Sequence, residues 1–202
     1  MTNRQGLLIV YSGPSGVGKG TLIGPIFEEA DMTFSVSLTT RTPRADEVEG
    51  KNYYFVSQEI FEAMVDEGGL LEYARYNQNS YGTPRRYVED TLRSGQDVVL
   101  EIDVQGAMQI KQSYPSAVFI FVLPPNVEVL RQRLAGRGTE SDEDITRRME
   151  VALSEIAMSE HYDYIIVNDD IDIARAQLRA IIEASRVRAP QMKYYVDEVL
   201  KV

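Results

Sequence analysis

The sequence contains no cysteine. That excludes disulfides, thiolate nucleophiles and cysteine-based zinc sites. A single histidine, His161, leaves no histidine metal cluster and no mechanism built on two imidazoles. No apolar run approaches the ~20 residues of a membrane helix. Met1 to Gly6 is polar and lacks a secretory pattern. Positive charge is scarce as well: 21 Lys and Arg stand against 31 Asp and Glu, a formal net charge of -10. Such a chain does not coat a nucleic-acid backbone or an anionic membrane unless it focuses its cations locally. These absences point to a cytoplasmic protein with neither nucleic acid nor membrane as partner, and they leave its oligomeric state open.

What is present is globular. Hydrophobic residues make up 44% and charged residues 26% of the 202 residues, which suits one compact domain with small insertions. Leu7 to Tyr11 is a continuous apolar run, as expected of a strand buried on both faces of a parallel sheet. Asp97 to Asp103, Ala117 to Leu123 and Asp163 to Asn168 repeat that signature, and Phe34 to Leu38 is a shorter version. Helical patterns cover Lys19 to Glu29, Val104 to Gln112, Asn126 to Leu134, Asp142 to Ser159 and Asp172 to Arg188. Strands alternating with helices predict an α/β fold with a mainly parallel sheet flanked by helices.

Residues 39 to 93 break the rhythm. Short strand-like pieces (Tyr53 to Val56, Leu70 to Tyr76), a helix from Gln58 to Glu67 and a turn at Asn77 to Ser80 suggest an inserted, mixed subdomain holding six of the 12 tyrosines. A second insertion spans Asn126 to about Glu160, with Gly136 and Gly138 as a hinge and Ser141 as a helix cap. Its acids, from Glu140 to Glu150, read as a solvated helix face. In the tail, Met192, Tyr195, Val196, Val199 and Leu200 have helical spacing and predict a last helix packed on the core.

The sharpest motif is Gly13-Pro14-Ser15-Gly16-Val17-Gly18-Lys19-Gly20-Thr21, between a buried strand and a helix. Its spacing is that of a P-loop. Glycines let backbone N–H groups turn inward around phosphate oxygens, and the helix N-terminus adds partial positive charge. Lys19 is placed to reach the β- and γ-phosphates. The next position usually supplies a hydroxyl to Mg²⁺; here it is Gly20, so the metal would lean on water, nucleotide oxygens and carboxylates. Glu101 and Asp103, two apart, are expected to share a strand face. No direct metal ligand is assigned; either acid acts through water or contacts the base. No Asn-Lys-x-Asp motif reads guanine as in a GTPase. Arg41 and Arg44, in a hydroxyl-rich stretch, suit a second phosphate, because arginine forks bind phosphate bidentately.

At this point the sequence resembles the guanylate kinase family. The matching segments are SGPSGVGKGT, FSVSLTTRTPRADEVEGKNYYFV, LLEYARYNQNSYGTP, VVLEIDVQG, RLAGRGTES and YIIVNDD, in the family's order from Leu7 to about Arg188. The resemblance implies a P-loop NTPase-type kinase that phosphorylates GMP, and dGMP, to the diphosphate with ATP and Mg²⁺, in purine nucleotide metabolism. It implies a core of about 1–38, 94–125 and 161–202, a GMP-binding insertion of about 39–93 and a helical lid of about 126–160. Gly13, Pro14, Ser15, Gly16, Val17, Gly18, Lys19, Gly20, Thr21, Arg133, Arg137 and Asn168 would bind ATP. Ser37, Arg41, Arg44, Tyr53, Glu72, Tyr81, Thr83 and Asp103 would bind GMP. Lys19, Arg41, Arg137 and Arg148 would be catalytic. The GMP phosphate is already ionised at neutral pH, so no general base is needed. His161 is expected at a helix end or on the surface.

Two other readings compete. Guanylate-kinase-like scaffold modules bind phosphopeptides without catalysis, but their phosphate loops are typically degraded, and this one is intact. A P-loop kinase for AMP or a pyrimidine nucleotide is opposed by Glu72, which would face adenine's ring acceptor. Glu72 could instead be structural, paired with Arg75.

Overall fold

The protein is described here by a computed structural model covering residues 4–29, 32–76, 78–136 and 142–201. In chain order the first elements are β1 (Leu8–Ser12), α1 (Lys19–Glu29), β2 (Met32–Phe34), β3 (Leu38–Thr39), β4 (Tyr54–Phe55) and α2 (Gln58–Asp66). Then come β5 (Leu70–Tyr76), β6 (Asn79–Pro84), α3 (Arg85–Arg93), β7 (Asp97–Glu101) and α4 (Val104–Ser113). The last are β8 (Val118–Leu123), α5 (Val127–Ala135), α6 (Asp142–Ala157), β9 (Tyr164–Val167), α7 (Ile171–Arg186) and α8 (Lys193–Val199). A short 3-10 turn, Met158–His161, follows α6.

A five-stranded, mainly parallel sheet has the order β2-β7-β1-β8-β9. β2 runs parallel to β7 with Met32 opposite Asp97, and β8 parallel to β9 with Ile120 opposite Tyr164. All five residues of β1 are buried, as are Val118 to Val122 of β8. Apolar, β-branched runs of this kind have no solvent face and settle in the middle of a parallel sheet. By packing, the chain divides within β1 into residues 1–9 with 32–117, and residues 10–31 with 118–202.

In the first unit, the buried Asp97 carboxylate fixes the start of β7. It accepts from the Leu7 amide at 2.8 Å and from Arg4 at 2.7 Å. A second, four-stranded sheet has the order β4-β3-β6-β5, with β5 and β6 antiparallel and β3 parallel to β4. Leu38, Phe61 and Leu70 form its small core. In the second unit, α7 presents Ala174, Leu178, Ile182 and Ser185 inward at helical spacing. Arg175 ties α7 to α1 by donating to the Thr21 carbonyl at 2.9 Å. α5 and α6 bury Leu130, Leu134, Ile145, Met149 and Ala152 against each other.

Four expectations need correcting. The segment Phe34 to Leu38 is not one strand: Met32–Phe34 pairs with β7, and Leu38–Thr39 belongs to the other sheet. The handover falls at its serines. Asn79 and Ser80 are not merely turn but the start of β6, whose Ser, Gly, Thr and Pro lack any strand-like apolar pattern. α3 was not expected, because only Val88 and Leu92 of its nine residues are buried. Finally, α8 forms but buries nothing; Tyr195, Val196, Val199 and Leu200 are all exposed.

Candidate active site

The phosphate loop is built by the end of β1 and the start of α1. Gly18 has φ +92°, and a β-carbon on it would stand 2.7 Å from the Asn168 amide nitrogen, so both conformation and space require glycine. α1 begins with Leu22 N–H donating to the Gly18 carbonyl. The Lys19 ammonium reaches back across the loop, donating to the Gly13 carbonyl at 2.6 Å and the Pro14 carbonyl at 3.4 Å. At Gly20 the space for a side chain is open, with nothing within 4 Å. Packing therefore does not forbid the hydroxyl that this sequence lacks.

Arg133 and Asn168, expected to bind ATP, and Arg148, expected to be catalytic, brace this loop. The Val17 carbonyl accepts from Asn168 Nδ2 at 2.7 Å and from Arg133 at 3.2 Å. Arg133 also donates to the Asn168 carbonyl at 3.1 Å. Asn168, expected to bind ATP, is buried, and its side-chain amide nitrogen donates to the loop backbone. Arg148, on α6, donates to Ser15 Oγ at 2.9 Å. Arg137, Gly138, Glu140, Ser141 and Asn77 lie outside the described residues.

The first unit gathers a second polar group. Thr39 stands opposite Tyr81 across the β3–β6 pairing, and Arg41 follows β3. The Arg41 guanidinium lies 5.6 Å from the Tyr53 ring, and the Tyr53 and Tyr81 rings are 5.8 Å apart. Burial pushes the Tyr53 hydroxyl above the usual phenol range. Glu47, unexpected from sequence, accepts from Arg41 at 2.7 Å and from the Arg44 amide at 2.8 Å. The hydrogen bond from Arg41 holds the Glu47 carboxyl below its ordinary range. Arg44 is exposed beside it. Ser37 is partly buried just before β3, where its carbonyl accepts from the Tyr54 amide.

Glu72, like Asp97, is a buried acid of this unit, 4% exposed on β5. Thr83, fully buried on β6, donates its hydroxyl to Glu72 Oε1 at 2.5 Å. Burial raises the Glu72 carboxyl from its ordinary 4.5 to about 7; the Thr83 bond opposes the shift and the Asp103 charge adds to it. Arg75 is not its partner. Arg75 is exposed and lies 3.8 Å from Glu62. Asp103 also departs from expectation. The strand ends at Glu101, and Asp103 is the N-cap of α4, accepting from the Gly106 amide at 2.8 Å. The two acids therefore do not share a strand face.

The sequence profile described as "Guanylate kinase" matches residues 5–185. The chain belongs to the guanylate kinase family. It is 50% identical over 200 residues to the guanylate kinase of Caldanaerobacter subterraneus subsp. tengcongensis, covering 98% of this chain and 96% of that one. It is 52% identical over 192 residues to the guanylate kinase of Streptococcus thermophilus, covering 94% and 92%. The crystal structure of guanylate kinase from Anaplasma phagocytophilum matches with a TM-score of 0.78 at 35% identity, covering 94% of this chain and 90% of that one. As a guanylate kinase the chain needs no histidine chemistry, and His161 sits exposed at the end of the 3-10 turn, 3.8 Å from Glu160. Among the described residues no helix is long and apolar enough to cross a membrane, and no group of three or more acids and histidines could hold a metal.

Proposed function

We propose that the protein transfers the γ-phosphoryl group of ATP to GMP and dGMP, yielding ADP and GDP or dGDP, with Mg²⁺ as cofactor. This activity serves purine nucleotide metabolism in the cytoplasm. The observation that carries the acceptor's identity is the buried Glu72 carboxylate, held by Thr83 and offering two acceptor oxygens. Guanine presents two adjacent donors, N1–H and N2–H, and adenine does not. Arg41, Arg44, Tyr53 and Tyr81 hold the GMP phosphate; Ser37, Glu72, Thr83 and Asp103 face the base. Residues 13–21 with Arg133 and Arg137 bind ATP, and Asn168 supports them through Val17. In this reading residues 39–93 form the GMP-binding insertion and 126–160 the lid.

Phosphoryl transfer asks the protein for in-line placement and charge neutralisation rather than for a base. The donor set fits Mg²⁺ that arrives on nucleotide phosphates, since Gly20 offers no hydroxyl and Asp103 already accepts from Gly106. Glu101 or Asp103 would hold its waters. Bound there, the ion would neutralise charge on the phosphates. The test of substrate class is ADP release with ATP, Mg²⁺ and GMP, dGMP, AMP, UMP or CMP in turn. GMP and dGMP should turn over and the others should not; comparable rates with AMP would overturn the reading.

Arg148 separates binding from catalysis. It already rests on the loop at Ser15, and in this reading it acts on the charge that develops during transfer. Arg148→Ala should therefore lower kcat by about 10²- to 10³-fold and change the KM of either nucleotide far less. Steady-state kinetics with each nucleotide varied will decide. A loss confined to KM would make Arg148 an ordinary binding group.

A further inference from the structure

We propose that Gly106 is a positioning residue for base selectivity: its missing side chain is the space in which the Glu72 carboxylate sits. The proposal rests on the reading of Glu72 as the guanine contact. Gly106 lies buried in the first turn of α4. Its backbone is not left-handed, so conformation does not demand glycine there. Glycine also weakens a helix relative to alanine, so its presence calls for another cause.

The surroundings supply one. A β-carbon built on Gly106 would collide with Glu72 Oε2, lie 2.9 Å from Cδ and stand 3.4 Å from Cγ. All three of its nearest atoms belong to Glu72. The closest clash therefore falls on one carboxylate. That carboxylate has little room to yield on its other side, where Thr83 holds Oε1 at 2.5 Å. The helix cannot easily retreat either. Gln109, one turn along α4, donates to the Tyr73 carbonyl at 2.7 Å and accepts from the Tyr73 amide at 3.1 Å. Asp103 fixes the start of the helix through the Gly106 amide itself. The helix is thus clamped to the residue next to Glu72, and the absent methyl sets where Oε2 can be.

Gly106→Ala should push the carboxylate off its Thr83-held position. A misplacement on the order of 1 Å costs about 10²-fold, and that loss in kcat/KM for GMP is the expected result. It should appear in the KM for GMP, leave the KM for ATP unchanged, and reduce the preference for GMP over IMP, which lacks the N2 amino group. The decisive comparison is a double-mutant cycle with Glu72→Ala. With no carboxylate to displace, Gly106→Ala should cost less than about twofold further, and the doubly substituted protein should melt no lower than Glu72→Ala, since alanine favours the helix. If Gly106→Ala alone does not fold, recovery of the thermal midpoint in the double variant supports the proposal, and no recovery overturns it. Wild-type kcat/KM in Gly106→Ala, or equal losses in both backgrounds, also overturns it. The underlying reading fails separately, through an unchanged GMP/IMP ratio in Glu72→Ala alone.

Discussion

Replacing Lys19 with alanine should nearly abolish turnover while leaving GMP binding intact. Lys19 is the cation of the phosphate loop, its ammonium held at the Gly13 and Pro14 carbonyls. In the proposed reaction it moves onto the β- and γ-phosphates, where negative charge must be neutralised as the phosphoryl group leaves. Preorganised charge at such a position is worth on the order of 10³-fold in kcat, and more where it acts with other cations. Arginine is no substitute, because its planar fork needs more room than a compact ammonium. GMP titration calorimetry of Lys19→Ala doubles as the folding control, and its dissociation constant should stay within about twofold of wild type. Full turnover in the variant would remove the loop from the mechanism. A matching loss of GMP binding would mean that Lys19 serves the acceptor, not the donor.

The loop was legible because its chemistry is local. A buried run, glycines at fixed offsets and a lysine at the helix start lie within fifteen residues, Leu7 to Thr21. The Val17 clamp was not legible, because Arg133 and Asn168 come from distant segments and meet only when the sheet and α5 are in place. Glu47 was missed for a related reason. An acid six residues after Arg41 looks like solvated loop until the loop folds back on itself. β6 and α3 escaped because their burial is carried by few apolar side chains. α8 shows the opposite failure. Its periodicity predicted the helix correctly, but periodicity cannot say whether an apolar stripe is covered. Asp103 shows that a two-residue alternation predicts a shared face only while the strand lasts; two residues past its end, the side chain caps a helix instead. Glu72 could be singled out from the family's pattern. That it is buried against Gly106 and shifted towards neutral pH could come only from packing.

Glu72→Ala should cost GMP roughly 10- to 150-fold in kcat/KM, the size of a lost hydrogen bond to a charged group at roughly 1.5–3 kcal/mol. The loss should be selective. IMP keeps N1–H but has no N2 amino group, so wild type should prefer GMP strongly and the variant much less. An unchanged ratio would reduce Glu72 to a structural acid. Its ionisation gives a second, independent readout. Buried and beside Asp103, the carboxyl titrates at about 7 instead of 4.5. Only the ionised form offers both oxygens to guanine, so GMP binding must release any proton held there. The KM for GMP should therefore fall as pH rises through about 7 and level off above about 8. GMP's own phosphate also titrates near 6, so the comparison is with Glu72→Gln, which keeps the shape and loses the proton. The difference in slope between the two proteins belongs to Glu72. Stability runs the other way. A folded-state pKa above the unfolded value means that stability is fully present below about 4.5 and lost as pH rises through about 7, by up to about 3 kcal/mol. At pH 8 the ligand-free Glu72→Gln protein should consequently melt higher than wild type, while binding GMP more weakly. If wild type instead melts higher at that pH, the carboxylate is not strained by its burial, and the pH dependence assigned to it falls as well.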